Sequence, residues 1–206
     1  MKYGFLPRAM WAVFSGSFER AIGSELHIEG GKAIVKQAHV KYRAILSDVD
    51  EFPAGDRFRV NILSCATFAA VYLSLPQKPD VETMTAYYRA AMDTPIMHLA
   101  ARTSNMYTRA GRDALKRDAE VSQRRTNPYS WTFTVEDGAT MNEYTATFTY
   151  CGIFYLMREL GIGEVTPALC HFDYDMAAMN NTVFTRKYTL ASGGPCCDCH
   201  YCHHGK

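Results

Sequence analysis

Tyr144-Thr145-Ala146-Thr147-Phe148-Thr149-Tyr150 alternates aromatic or small apolar residues with threonine, a two-residue period from which the rest of the chain can be placed. Successive side chains of a strand point to opposite faces, so the run reads as a strand. Just upstream, Trp131, Phe133 and Val135 alternate with Thr132, Thr134 and Glu136, and Asp137-Gly138 marks a turn. The two runs are expected to pair antiparallel.

Downstream, residues 151–160 read as a short helix stopped by Gly161 and Gly163. Thr166-Pro167 opens another helix, with Thr166 as cap and Pro167 in the first turn, running to about Met179. Asn180-Asn181 ends it. A third strand is expected over 182–191, a turn at Gly193-Gly194-Pro195, and a fourth strand over 196–202. Upstream the period changes to three and four. Apolar residues at that spacing predict helices over 7–26, 32–49 and 56–73. Asp80 is an N-cap for a helix reaching Met92, and Pro95 restarts a short one to about 101. Residues 104–125 are dense in interspersed acids and bases, the pattern of a solvated helix surface. The expectation is one α+β domain: a helical scaffold over about 1–127, packed on a small, mostly antiparallel sheet with helical insertions over about 128–206.

Length and composition agree. With 206 residues, 48% of them apolar, the chain can bury a full core in one domain. Its formal charge of +1 gives no electrostatic case for nucleic acid or an anionic membrane. No run approaches the ~18 apolar residues that a spanning helix needs. Pro7 and Arg8 interrupt the apolar start, so a secretion signal is not expected and the cytosol is the default. A small-molecule substrate is the expected partner, and a homo-oligomer is left open.

Six of the seven cysteines fall after Tyr144: Cys151, Cys170, Cys196, Cys197, Cys199 and Cys202. The other, Cys65, sits among Leu63, Phe68 and Val71 and reads as a small core hydrophobe. An odd count in a cytosolic setting argues for thiols, metal ligands or nucleophiles rather than a disulfide framework. On a helix, Cys170 and Asp173 share a face while Asp175 points elsewhere. On a strand, Cys197, Cys199, Tyr201 and His203 share one face, and the other offers Asp198 with His200 as an acid/base pair, His200 being a candidate substrate contact. Arg186, on the neighbouring strand, suits a substrate carboxylate through two parallel hydrogen bonds. Cysteines such as Cys151 and Cys170, taken singly, are more often core thiols. Cys196, Cys199, Cys202 and His204 have zinc-like spacing, but they crowd one short segment, whereas structural sites usually take two separated pairs.

Pro167-Ala168-Leu169-Cys170-His171-Phe172-Asp173, the run from Phe184 through Arg186 to Gly193-Gly194, and Cys197-Asp198 together resemble the C-terminal signature of the L-2-amino-thiazoline-4-carboxylic acid hydrolase family. Cys151 also stands where that family tends to have a cysteine. The resemblance is concentrated over 144–201. It implies hydrolytic opening of a cyclic, amidine-like thiazoline acid to an N-carbamoyl amino acid such as N-carbamoyl-L-cysteine. It also places Cys151, Cys170, Asp173, Arg186, Cys197 and Asp198 in or near the site. Cys199 departs from it, since an aromatic residue is expected after the Cys-Asp pair. On this reading Cys170 or Cys197 is the nucleophile, Asp173 or Asp198 carries the proton, Arg186 holds the carboxylate, and no cofactor is needed. The competing expectation is a non-enzymatic module that holds zinc or senses redox state through the terminal Cys/His cluster.

Overall fold

The structure is a computed structural model that describes residues 1–204. Six helices come first: α1 Phe5–Ser24, α2 Gly31–Asp48, α3 Phe58–Ser74, α4 Val81–Met92, α5 Pro95–Arg102 and α6 Arg109–Ser122. Strands β1 Thr132–Asp137 and β2 Glu143–Tyr150 follow, then α7 Gly152–Glu159, α8 Thr166–Met179, β3 Thr182–Thr185 and β4 Cys197–His203. The four strands form one sheet in the order β1-β2-β4-β3, antiparallel throughout. The fold is α+β, as the change of period indicates. Among the described residues no helix is long and apolar enough to cross a membrane.

Local chemistry explains most element ends. The Asp80 carboxylate accepts the Thr83 N–H at 2.8 Å, and the Thr94 and Thr108 hydroxyls cap α5 and α6 in the same way. α3 is apolar on every side, and Ile62, Leu63, Ala66, Phe68, Ala69 and Val71 are all fully buried. It is therefore the central helix, packed against α1, α2 and α7. The inner face of the sheet, with Phe133, Tyr144, Ala146, Phe148 and Tyr201, joins the same core.

Three local expectations are corrected. Thr166 begins α8 but does not cap it; Val165 is the cap residue, and the Thr166 hydroxyl is buried without a partner among the described residues. The charge-dense helix has one charged residue that is buried. Arg112 is 2% exposed, lies 4.3 Å over the Tyr144 ring, and donates to Asp137 and to the carbonyls of Met106, Met141 and Glu143. It ties α6 to the β1–β2 turn.

The third correction concerns β3, which ends at Thr185 rather than continuing to 191. Beyond it the Lys187 and Tyr188 N–H groups are taken by the Asp198 carboxylate at 3.1 and 2.7 Å, so they are unavailable to a strand ladder. Leu190–Ser192 then forms a 3-10 turn capped by Thr189. Gly193 closes it at φ 81°, the left-handed region that favours glycine. A Cβ on Gly194 would lie 2.9 Å from the Thr189 carbonyl oxygen. The glycine pair is thus required by this turn. Arg186 is not on a strand but immediately past one.

Candidate active site

The chain passes from β2 into α7 with almost no connection. Gly152 permits this, because a Cβ there would overlap the Tyr129 carbonyl oxygen. Cys151 is left as the N-cap of α7, and its sulfur accepts the Phe154 N–H at 3.5 Å, with the Ile153 N–H also acting on it. α8 presents Cys170 and Asp173 one turn apart, and the inner face of β4 presents Cys197 and Cys199, which are 8% and 3% exposed. These thiols lie close enough for charge on one to be felt by another: Cys151 with Cys170 and Cys197, and Cys170 with Cys197. Cys65, on α3, is coupled in the same way to Cys151 and Cys170. Reading Cys65 from its neighbours in sequence missed this adjacency, because nothing local says what faces a buried helix position.

Asp173 and Arg186 form the charged part of the cluster. Arg186 Nη1 donates to Asp173 Oδ2 at 2.8 Å, and Nη2 donates to the Cys170 carbonyl at 3.0 Å. The guanidinium carbon lies 5.2 Å from the Phe184 ring centre and 5.7 Å from that of Tyr174. Its side chain is only 5% exposed, while that of Asp173 is 42% exposed. The pair therefore has a buried cationic end and a partly open anionic end. Part of the Asp173 side chain reaches solvent, but the protein packed around its carboxyl still raises it above the usual carboxylate range, and Arg186 opposes that shift. Burial likewise pushes the Cys151 and Cys199 thiols up to about 12 and raises Cys170 and Cys197. The N–H groups at the start of α7 pull Cys151 back, and the Leu190 N–H, 3.3 Å from the Cys197 sulfur, acts likewise there.

The rest of the sequence-derived set is arranged differently. Asp198 and His200 share the outer face of β4, but each has another partner. Asp198 holds the loop after β3, and His200 Nδ1 lies 3.0 Å from the Thr145 hydroxyl. Asp175 turns to Arg89 on α4, at 2.9 Å. Cys199 points into the core while Cys202 faces outward opposite Glu143, at 3.9 Å. An extended strand separates residues three apart onto opposite faces, whereas a metal turn would gather them. Among the described residues no group of three or more His, Cys, Asp or Glu side chains is placed to hold a metal ion. Two clefts, of about 660 and 590 Å³, lie beside Tyr3 and Arg43 and beside Arg57 and Arg125. Neither is lined by any of these residues.

The fold is that of a small α+β protein, and the groups it clusters are thiols and a carboxylate, residue types that nucleophilic and acid–base hydrolysis can use. A family model for L-2-amino-thiazoline-4-carboxylic acid hydrolase matches residues 60–201, from α3 to β4. The chain belongs to that family. No curated protein and no solved structure matches it.

Proposed function

We propose that the protein is a thiol-dependent hydrolase that opens a small heterocyclic acid of the thiazoline type, with Cys151 as nucleophile and Asp173 as proton carrier. The observation that carries this reading is the placing of Cys151 at the N-terminus of α7, within electrostatic reach of Asp173. Helix N-termini favour a thiolate, and their N–H groups suit charge that develops beside it. Cys170 lies inside a helix, where the N–H groups are already spent on the helix ladder, and Cys197 lies on a strand, with the Leu190 N–H beside its sulfur.

The chemistry is balanced as follows. The Cys151 sulfur attacks the ring carbon between sulfur and nitrogen. The ring carbon–sulfur bond breaks, and the thiol proton passes by way of Asp173 to the departing sulfur. Water then adds to the same carbon, one of its protons going to the former ring nitrogen; the carbonyl forms as the bond from that carbon to the Cys151 sulfur breaks, and the second water proton restores the Cys151 thiol. The net reaction is thiazoline acid plus water to N-carbamoyl-cysteine.

The test is to incubate purified protein with 2-amino-thiazoline-4-carboxylate and quantify N-carbamoyl-cysteine by chromatography. Cys151→Ser is expected to lower turnover by at least about a hundredfold, while Cys65→Ala keeps most of it. Equal turnover by wild type and Cys151→Ser would remove Cys151 from the mechanism.

A further inference from the structure

We propose that Asp173 selects substrates by charge: its free carboxylate oxygen receives the N–H groups of a protonated cyclic amidine, and Arg186 is the residue that positions it. Cyclic guanidinium acids are then accepted beside the thiazoline, and neutral rings of the same shape are rejected. This rests on the thiol-hydrolase reading and deepens it.

Arg186 is poorly placed to grip a ligand. Two of its nitrogens are occupied by Asp173 and the Cys170 carbonyl, aromatic rings flank it, and 5% of its side chain is exposed. Asp173 has the opposite character. Oδ2 is fixed by Arg186, Oδ1 takes no hydrogen bond among the described residues, and 42% of the side chain is open. A carboxylate accepts about four hydrogen bonds, so this one is anchored and largely unfilled. Its orientation is set before a ligand arrives, which lowers the ordering cost of binding.

An amidinium is planar, delocalised and presents two N–H groups in a fork, the array that pairs with a carboxylate. Protonation of the ring nitrogen also makes the adjacent carbon electrophilic, so the residue that holds the cation also activates the carbon. A cation seated at Asp173 favours the thiolate at Cys151, opposing the burial that otherwise keeps that thiol protonated. Charge recognition and nucleophile activation thus become one event.

The experiment is calorimetric. A cyclic guanidine acid (2-amino-imidazoline-4-carboxylate) is compared with a neutral ring of similar shape (2-oxothiazolidine-4-carboxylate). Wild type is expected to bind the cationic ring at least about tenfold more tightly. Asp173→Asn is expected to bring the ratio near one, with the neutral ring's Kd changed by less than about threefold and a cooperative melt retained. Asp173→Glu should restore part of the preference, which a merely structural role would not. Equal binding of the two rings by wild type overturns the proposal, whether or not the variants fold, as does a preference that survives in Asp173→Asn. If wild type hydrolyses the thiazoline but shows no preference, charge selection alone fails. If neither ring binds and the thiazoline is untouched, the hydrolase reading fails and this one with it.

Discussion

At the residue scale, Asp198 shows how neighbours set a role. Its carboxylate accepts two main-chain N–H groups from the segment that follows Arg186. Hydrogen bonds to a charged acceptor contribute ~1.5–3 kcal/mol each. Asp198→Asn keeps an acceptor oxygen and is expected to retain more than about half of wild-type activity. Asp198→Ala is expected to lower Tm by several degrees, on the order of a 2 kcal/mol loss, and to reduce turnover through a displaced Arg186. Thermal melts and steady-state kinetics on both variants check this. An inactive, normally stable Asn variant would restore Asp198 as a proton carrier.

At the element scale, the β2–α7 junction and the α6 anchor matter most. Gly152→Ala sets a methyl against the Tyr129 carbonyl, so α7 must shift and carry Cys151 with it. Overpacking of this kind costs ~1–3 kcal/mol, and activity is expected to fall more than stability. Urea denaturation with kinetics separates the two. Arg112→Ala leaves carbonyls of the β1–β2 turn without their buried donor, and Asp137 keeps only Lys116. Removing one partner of such a network costs about 3 kcal/mol or more, read as a lower urea midpoint. A midpoint equal to wild type would mean that α6 is held by its apolar face alone.

At the scale of the whole molecule, the buried acids set the alkaline limit. Burial raises Cys65, Cys151, Cys170 and Cys199, and it raises Tyr42, Tyr87, Tyr88 and Tyr144 as well. A raised folded pKa means that the unfolded chain loses its proton first. Stability is then full below the unfolded thiol value of about 8.5 and falls as pH climbs above it. Each fully buried group contributes a slope of up to about 1.4 kcal/mol per pH unit. Melts from pH 7 to 10 are expected to hold near neutrality and then drop steeply; a flat profile would mean that the thiols are not protected by burial.

Sequence alone was enough for the fold class, the order of elements and the Asp80 cap, because the periods of two and three to four and a capping side chain act over a few neighbours; it misplaced the cap at Thr166. It also determined that Cys170 and Asp173 share a helix face. What those faces meet was settled by packing. It placed Cys151 at a helix N-terminus, brought Cys65 within electrostatic reach of Cys151 and Cys170, ended β3 early and turned Arg186 inward, and buried Arg112 within a charged helix. Each of these depends on contacts between residues far apart in the chain, where burial and pairing override local preference, and no local pattern encodes which distant group will be there.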